Sequence, residues 1–265
     1  MAEVKTVART EKHLMLLRIL MVCCVAGMVW SAWLLLSNRR EYAQGDAAYR
    51  QIRELTAEAG LLESTPQEFT PSTDSTGQID FVSLQAINSD TTGWLRARGS
   101  VIDYPVVQGE DNEYYLTHLL SGEDNKLGCL FVDYRNQRDF SDPNTVIYGH
   151  NMKDGSMFSP LTQYQKQSYY DNMPEMQLFT PHQEYRIQLF AGVLSDASYR
   201  FIRFDFEDDG DFLSYIDVLK SQSTFQSDVA VEAGERLITL STCSYAFQNA
   251  RYTLFGKLVP VNANP

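Results

Sequence analysis

RLITLSTC (236–243) and RYTLFGKLV (251–259), joined by the polar stretch SYAFQNA (244–250), read as two strands on either side of a loop. If they run antiparallel, Arg251 returns to the edge at which Cys243 ends. TVIYGH (145–150) has the same character, an apolar run ending in Gly149-His150 before the polar loop NMKDGSMF (151–158). VIDYPVVQ (101–108), LGCLFVDY (127–134) and EYRIQLFAGVLS (184–195) are further β-branched and aromatic segments, set apart by Gly, Asn, Asp and Pro. Two short helices interrupt them. FVSLQAIN (81–88) follows Asp80 as a cap, and DFLSYIDVLKSQ (211–222) has Phe212, Tyr215 or Ile216, and Leu219 at helical spacing behind Asp211 as N-cap. Mostly strands with a few helices predicts a closed or half-closed β-barrel with appended helices. No internal repeat is visible.

The N-terminal part is of another kind. ILMVCCVAGMVWSAWLLL (19–36) carries no charge and extends back to Leu14 across Arg18. Roughly twenty apolar residues span a bilayer. Trp30 and Trp33 suit the interface, and Arg39-Arg40 end the span. A cleaved signal has a shorter apolar core and a small-residue cleavage site, and none follows Trp33, so an uncleaved anchor is the expectation. EYAQGDAAYRQIRELTAEAG (41–60) reads as a helix with Tyr49, Ile52 and Leu55 on one face and Gly60 as its stop. LLESTPQEFTPSTDSTGQ (61–78) is a Ser/Thr/Pro-rich linker. The expected organisation is a tail at 1–13, an anchor in the lipid bilayer at 14–36, helix and linker at 37–78, and a catalytic domain at 79–265.

The net charge is −12. Residues 1–40 hold Lys5, Arg9, Lys12, Arg18, Arg39 and Arg40 against Glu3 and Glu11, so the acidity belongs to the rest of the chain. An acidic domain argues against nucleic acid as a partner, since phosphate binding needs Lys/Arg clusters. Cations flank the span nearly evenly. The short tail ahead of a long acidic domain favours the N-terminus inside and the domain outside.

Four cysteines are present; Cys23 and Cys24 lie in the apolar run, which leaves Cys129 and Cys243 for the domain, too few for a disulfide framework. Cys243 closes a buried strand at a rim that substrate can reach, although a lone Cys is more often a buried structural residue. Of the four histidines, His13 precedes the span, and His118 and His182 suit surface or loop positions. Only His150 shares the strand-end context of Cys243, where a general base would meet the thiol. Arg251 at the same rim would set a fixed cation beside an oxyanion. Taken singly, His150 is also readable as a hydrogen-bonded structural residue and Arg251 as a solvated strand end.

Together these residues resemble class B sortases. TLSTC (239–243) followed by Arg251, YGHNMKDGSMF (148–158), GWLRARGSVIDYPVVQGEDNEYYLTH (93–118) and GCLFVDYRN (128–136) carry the likeness over roughly residues 80–260. The resemblance implies an eight-stranded sortase-type β-barrel with N-terminal helices and a helix, 211–222, between the sixth and seventh strands. It implies a cysteine transpeptidase with Cys243 as nucleophile, His150 as acid/base and Arg251 on the oxyanion, needing no metal or cofactor. Such enzymes cut a C-terminal sorting motif of a secreted protein after Thr, hold a thioester, and pass the acyl group to an amine of peptidoglycan or of a pilin. The setting implied is a single-pass anchor at a Gram-positive type of cell surface. Papain-like enzymes place Cys before His, and here His150 comes first. The caspase string and zinc-ligand spacing are both absent. A catalytically silent, membrane-tethered binding domain would need no particular Cys, His or Arg.

Overall fold

The computed structural model describes residues 2–62, 79–196, 201–243 and 250–261. The linker residues 63–78 and the loop 244–249 lie outside the described residues. The chain forms two units, residues 1–46 and 47–265. Helix α1 is continuous from Ala2–Leu62. The helix expected at 41–60 is therefore part of a longer one. No Pro interrupts the chain between the apolar run and Glu41, and Gly60 lies within the helix. The apolar side chains from Ile19 to Leu36 are largely exposed, as a helix facing lipid would show them, and the helix is long and apolar enough to cross a membrane.

In the second unit the last turns of α1 bury Tyr49, Ile52 and Thr56; Leu55, expected on that face, is 44% exposed. Tyr49 meets Tyr104 edge-on at 5.1 Å, and Arg53 donates to the Asp103 carbonyl at 3.4 Å. Helix α2 (Phe81–Ile87) starts as expected, with the Asp80 side chain accepting from the Ser83 N–H.

The strands are β1 (Thr91–Arg96), β2 (Asp103–Val107), β3 (Leu130–Val132), β4 (Asn144–Tyr148), β5 (Glu175–Phe179), β6 (Glu184–Asp196), β7 (Leu237–Cys243) and β8 (Ala250–Pro260). They close a barrel in the order β1-β2-β3-β4-β7-β8-β6-β5. Closure removes the unpaired edges that an open sheet would present. β2 with β3 and β4 with β7 are parallel pairs; the other neighbours are antiparallel. β1 and β5 were not legible as strands. Trp94 of β1 is fully buried, with its indole N–H donating to Asp103 at 2.7 Å.

Helix α3 (Gln167–Asn172) precedes β5, and α4 (Asp209–Ser221) lies between β6 and β7. Phe212, Tyr215, Ile216 and Leu219 of α4 join Phe190, Val193, Leu237 and Phe255 of the barrel in one apolar cluster. Burying four such side chains contributes about 1.5–3 kcal/mol each. The N-cap of α4 is Asp208, accepting from the Asp211 N–H at 2.8 Å, and not Asp211. The Asp211 carboxylate is instead held by the Arg203 guanidinium and the Glu207 N–H. That pair ties the β6–α4 connection down. Asn144 of β4 fixes the same connection, donating to the Arg203 carbonyl at 2.6 Å while accepting from Thr239 at 2.8 Å.

Candidate active site

Parallel pairing of β4 with β7 brings both C-terminal ends to one rim, with Tyr148 opposite Ser241. The pairing stops there: His150 stands two residues past the end of β4, as Cys243 stands two residues past Ser241 on β7. The intervening step is fixed by hydrogen bonds: the Gly149 N–H donates to the Ser241 carbonyl at 3.2 Å, and the Thr242 hydroxyl donates to the Gly149 carbonyl at 2.7 Å. A Cβ at Gly149 would lie 2.5 Å from Leu130 and 2.7 Å from Phe158, so only glycine allows this approach. On the other side of β7, antiparallel β8 pairs Arg251 with Cys243. Cys243 and Arg251 thus sit opposite each other on adjacent strands, at a spacing of about 4.8 Å, with His150 just beyond the end of β4 at the same rim. The Cys243 side chain lies outside the described residues. His118 and His182 do not join this group: His118 stacks on Tyr114 at 3.9 Å and faces Asp124, and His182 is exposed in the β5–β6 turn.

His150 Nε2 lies 2.6 Å from the backbone carbonyl of Leu116, in the short 3₁₀ turn Tyr114–Leu116. A carbonyl only accepts, so Nε2 carries the proton, and in the neutral ring Nδ1 is the free base. This orienting group was invisible in the sequence, because it is a main-chain atom 34 residues away. The His150 carbonyl in turn accepts from the Phe158 N–H at 2.9 Å, which anchors the residue from both sides.

A cleft of about 790 Å³ opens here, lined by Asn112, Leu116, Arg135, Tyr148, His150, Ser241, Thr242 and Arg251 together with Phe201, Ile202 and Phe204 from the segment ahead of α4. Burial, with the Asp133 charge beside it, raises the Tyr148 hydroxyl well above its ordinary range, so it stays protonated and available to donate.

Cys129, just before β3, is a buried free thiol. Tyr49 reaches it, its hydroxyl 3.3 Å from Sγ and also bonded to the Gly128 carbonyl. Burial pushes the Cys129 thiol from 9.0 up to about 12, only partly offset by Tyr49. Its thiolate fraction at pH 8 is therefore about a thousandth of that of an ordinary thiol. Iodoacetamide at pH 8 is expected to modify Cys129 about 10³-fold more slowly in the folded protein than in guanidinium, as peptide mass spectrometry will show. A raised acid favours the fold while neutral, so this contribution is complete below pH 9 and fades as the pH rises toward 12.

The sequence profile of the sortase domain matches residues 96–259. Sortase B of Listeria monocytogenes is 39% identical over 178 residues, covering 66% of this chain and 72% of that protein. Sortase B of Staphylococcus aureus is 35% identical over 184 residues, covering 69% of this chain and 75% of that one. Among solved structures, a sortase B–substrate complex from Staphylococcus aureus superposes with a TM-score of 0.71 at 30% identity, over 86% of this chain and all of that one.

Proposed function

The chain belongs to the sortase family as a class B cysteine transpeptidase, and we propose on that footing that Cys243 is its nucleophile, His150 its acid/base and Arg251 its oxyanion donor. The observation that carries this reading is the strand register, with Cys243 paired to Arg251 across β7–β8 and His150 two residues past the end of the parallel neighbour β4. The Cys243 thiolate attacks the carbonyl carbon of the Thr at the cleavage point of a sorting motif. The oxyanion collapses to a thioester as the leaving amine takes a proton from His150. An amine of peptidoglycan or of a pilin subunit then attacks the thioester, His150 takes its proton, and Cys243 is released. Arg251 faces the negative oxygen in both addition steps.

In this reading residues 14–36 anchor the enzyme as a single-pass protein with its N-terminus in the cytoplasm. Residues 37–78 connect the anchor to the catalytic domain, 79–265, at the outer face of the membrane. The test is incubation with a sorting peptide, then hydroxylamine. An acylated Cys243 by mass spectrometry before hydroxylamine is added, and a peptide hydroxamate ending in Thr after it, are expected; cleavage with no adduct at Cys243 before hydroxylamine would overturn the assignment.

The anchor takes no part in this chemistry. Removing residues 1–36 is expected to leave kcat/KM on peptide unchanged, whereas removing residues 1–62 also strips Tyr49 and Ile52 from the barrel. That larger deletion should cost roughly 3–6 kcal/mol, read from denaturant melts. Loss of activity in the shorter deletion with an unaltered melt would show a catalytic role for the anchor.

A further inference from the structure

Asp133 follows β3 directly, and its carboxylate has no exposed surface. Oδ1 accepts from the Arg135 backbone N–H at 3.0 Å and from Arg135 Nε at 2.8 Å. Oδ2 accepts from Arg135 Nη2 at 2.8 Å, Asn112 Nδ2 at 3.0 Å and the Tyr148 hydroxyl at 3.0 Å. Burial alone would raise this carboxyl, but the Arg135 hydrogen bonds and charge, with Asn112, hold it below its ordinary range. A buried carboxylate is costly unless its lone pairs are filled, and an apolar side chain would serve the barrel as well.

The donors have one thing in common. Asn112, Arg135 and Tyr148 come from three separate segments of the chain, and all three line the cleft that holds His150 and Arg251. Asp133 itself is not part of that lining. Two of the three spokes have a second support: Asn112 Oδ1 accepts from the Tyr134 N–H at 3.1 Å, and the Arg135 guanidinium lies 4.1 Å from the Phe204 ring, which also lines the cleft. With its proton given to Asp133, the Tyr148 hydroxyl can only accept from the cleft.

We propose that Asp133 is a positioning residue for substrate, a buried hub that sets Asn112, Arg135 and Tyr148 in place as the peptide-binding wall of the cleft. This rests on the reading that the cleft takes the sorting peptide. The hub fixes which wall groups donate and which accept, so it selects the peptide without touching it. It is remote from the reaction in role: the His150 ring is set by Leu116 and the Arg251 position by β7–β8 pairing.

The test is steady-state kinetics of the full chain in detergent, on one sorting peptide with a saturating amine acceptor. Asp133→Asn keeps the shape but turns an acceptor of donors into a partial donor. KM is expected to rise about tenfold or more while kcat stays within about threefold. The rate of iodoacetamide capture at Cys243 should not move. Tyr148→Phe should raise KM by itself, and the double variant should raise it less than the product of the two, since both break one hub. If Asp133→Asn does not fold, Asn112→Ala, Tyr148→Phe and their double variant read the same coupling. An unchanged KM, a fall in kcat with KM untouched, or multiplicative effects in the double variant would each overturn the hub. A parent enzyme that cleaved no sorting peptide would overturn the proposed reaction and the hub's substrate role together. Turnover by the parent with no KM change in the variants overturns the hub alone.

Discussion

Cys243→Ala should form no thioacyl adduct and should lose peptide cleavage by about 10⁴-fold or more, to the uncatalysed background. Cys243 is the last residue of β7, and its strand contribution is a backbone pairing with Arg251 that alanine preserves. The variant is therefore expected to melt with the parent and to keep its affinity for the peptide, which separates lost chemistry from lost structure. Cys243→Ser should be nearly as inactive, because a hydroxyl is far less acidic than a thiol and His150 would have to remove its proton fully. Cys129 cannot stand in: its thiol is buried and pushed up to about 12, so almost none is thiolate near neutral pH. Mass spectrometry of the trapped enzyme and steady-state rates on one peptide decide the matter. Substantial turnover in Cys243→Ala would remove this residue from the nucleophile's role.

The sequence was readable where residue type and environment agree. β2, β4, β6, β7 and β8 are β-branched or aromatic runs with turn residues at their ends, and the structure places all of them within a residue or two of expectation. β1 and β5 lacked that signature. Thr91, Thr92 and Gly93 fill the first half of β1 with polar or small residues that are nonetheless buried. β5 is only EMQLF, with Glu175 and Gln177 on its outer side, too short for alternation to stand out. Likewise Asp208 and Asp211 are both capable caps, and the choice was made by Arg203, which occupies the second. At the site, the strand pattern gave the pairing of Cys243 with Arg251 across β7–β8, and left His150 two residues past the end of β4. Leu116 and Asp133 were out of reach. One acts through a main-chain carbonyl and the other through donors from three segments, and neither leaves a mark on its own stretch of sequence.

Arg251→Ala should reduce kcat/KM on a sorting peptide by on the order of 10²–10³, the usual loss when one oxyanion donor is removed. Arg251 stands on β8 between Cys243 of β7 and Ser195 of β6, so sheet pairing fixes its backbone from both sides. Acyl transfer puts negative charge on the same carbonyl oxygen twice, when the thioester forms and when the amine attacks it. A guanidinium brings a permanent charge and a planar fork of donors to that oxygen. Arg251→Lys restores a charge on a flexible stem but not the fork, so it should recover only part of the rate. The form of the loss separates two roles. Stabilising the transition state lowers kcat even at saturating peptide, whereas a contact made equally with bound substrate raises KM alone. The comparison with Asp133→Asn sharpens this, since the hub variant is expected to move KM and spare kcat, and the Arg251 variants to do the reverse. If kcat of Arg251→Ala equals that of the parent, Arg251 docks substrate, and the oxyanion must be met by another donor at the rim.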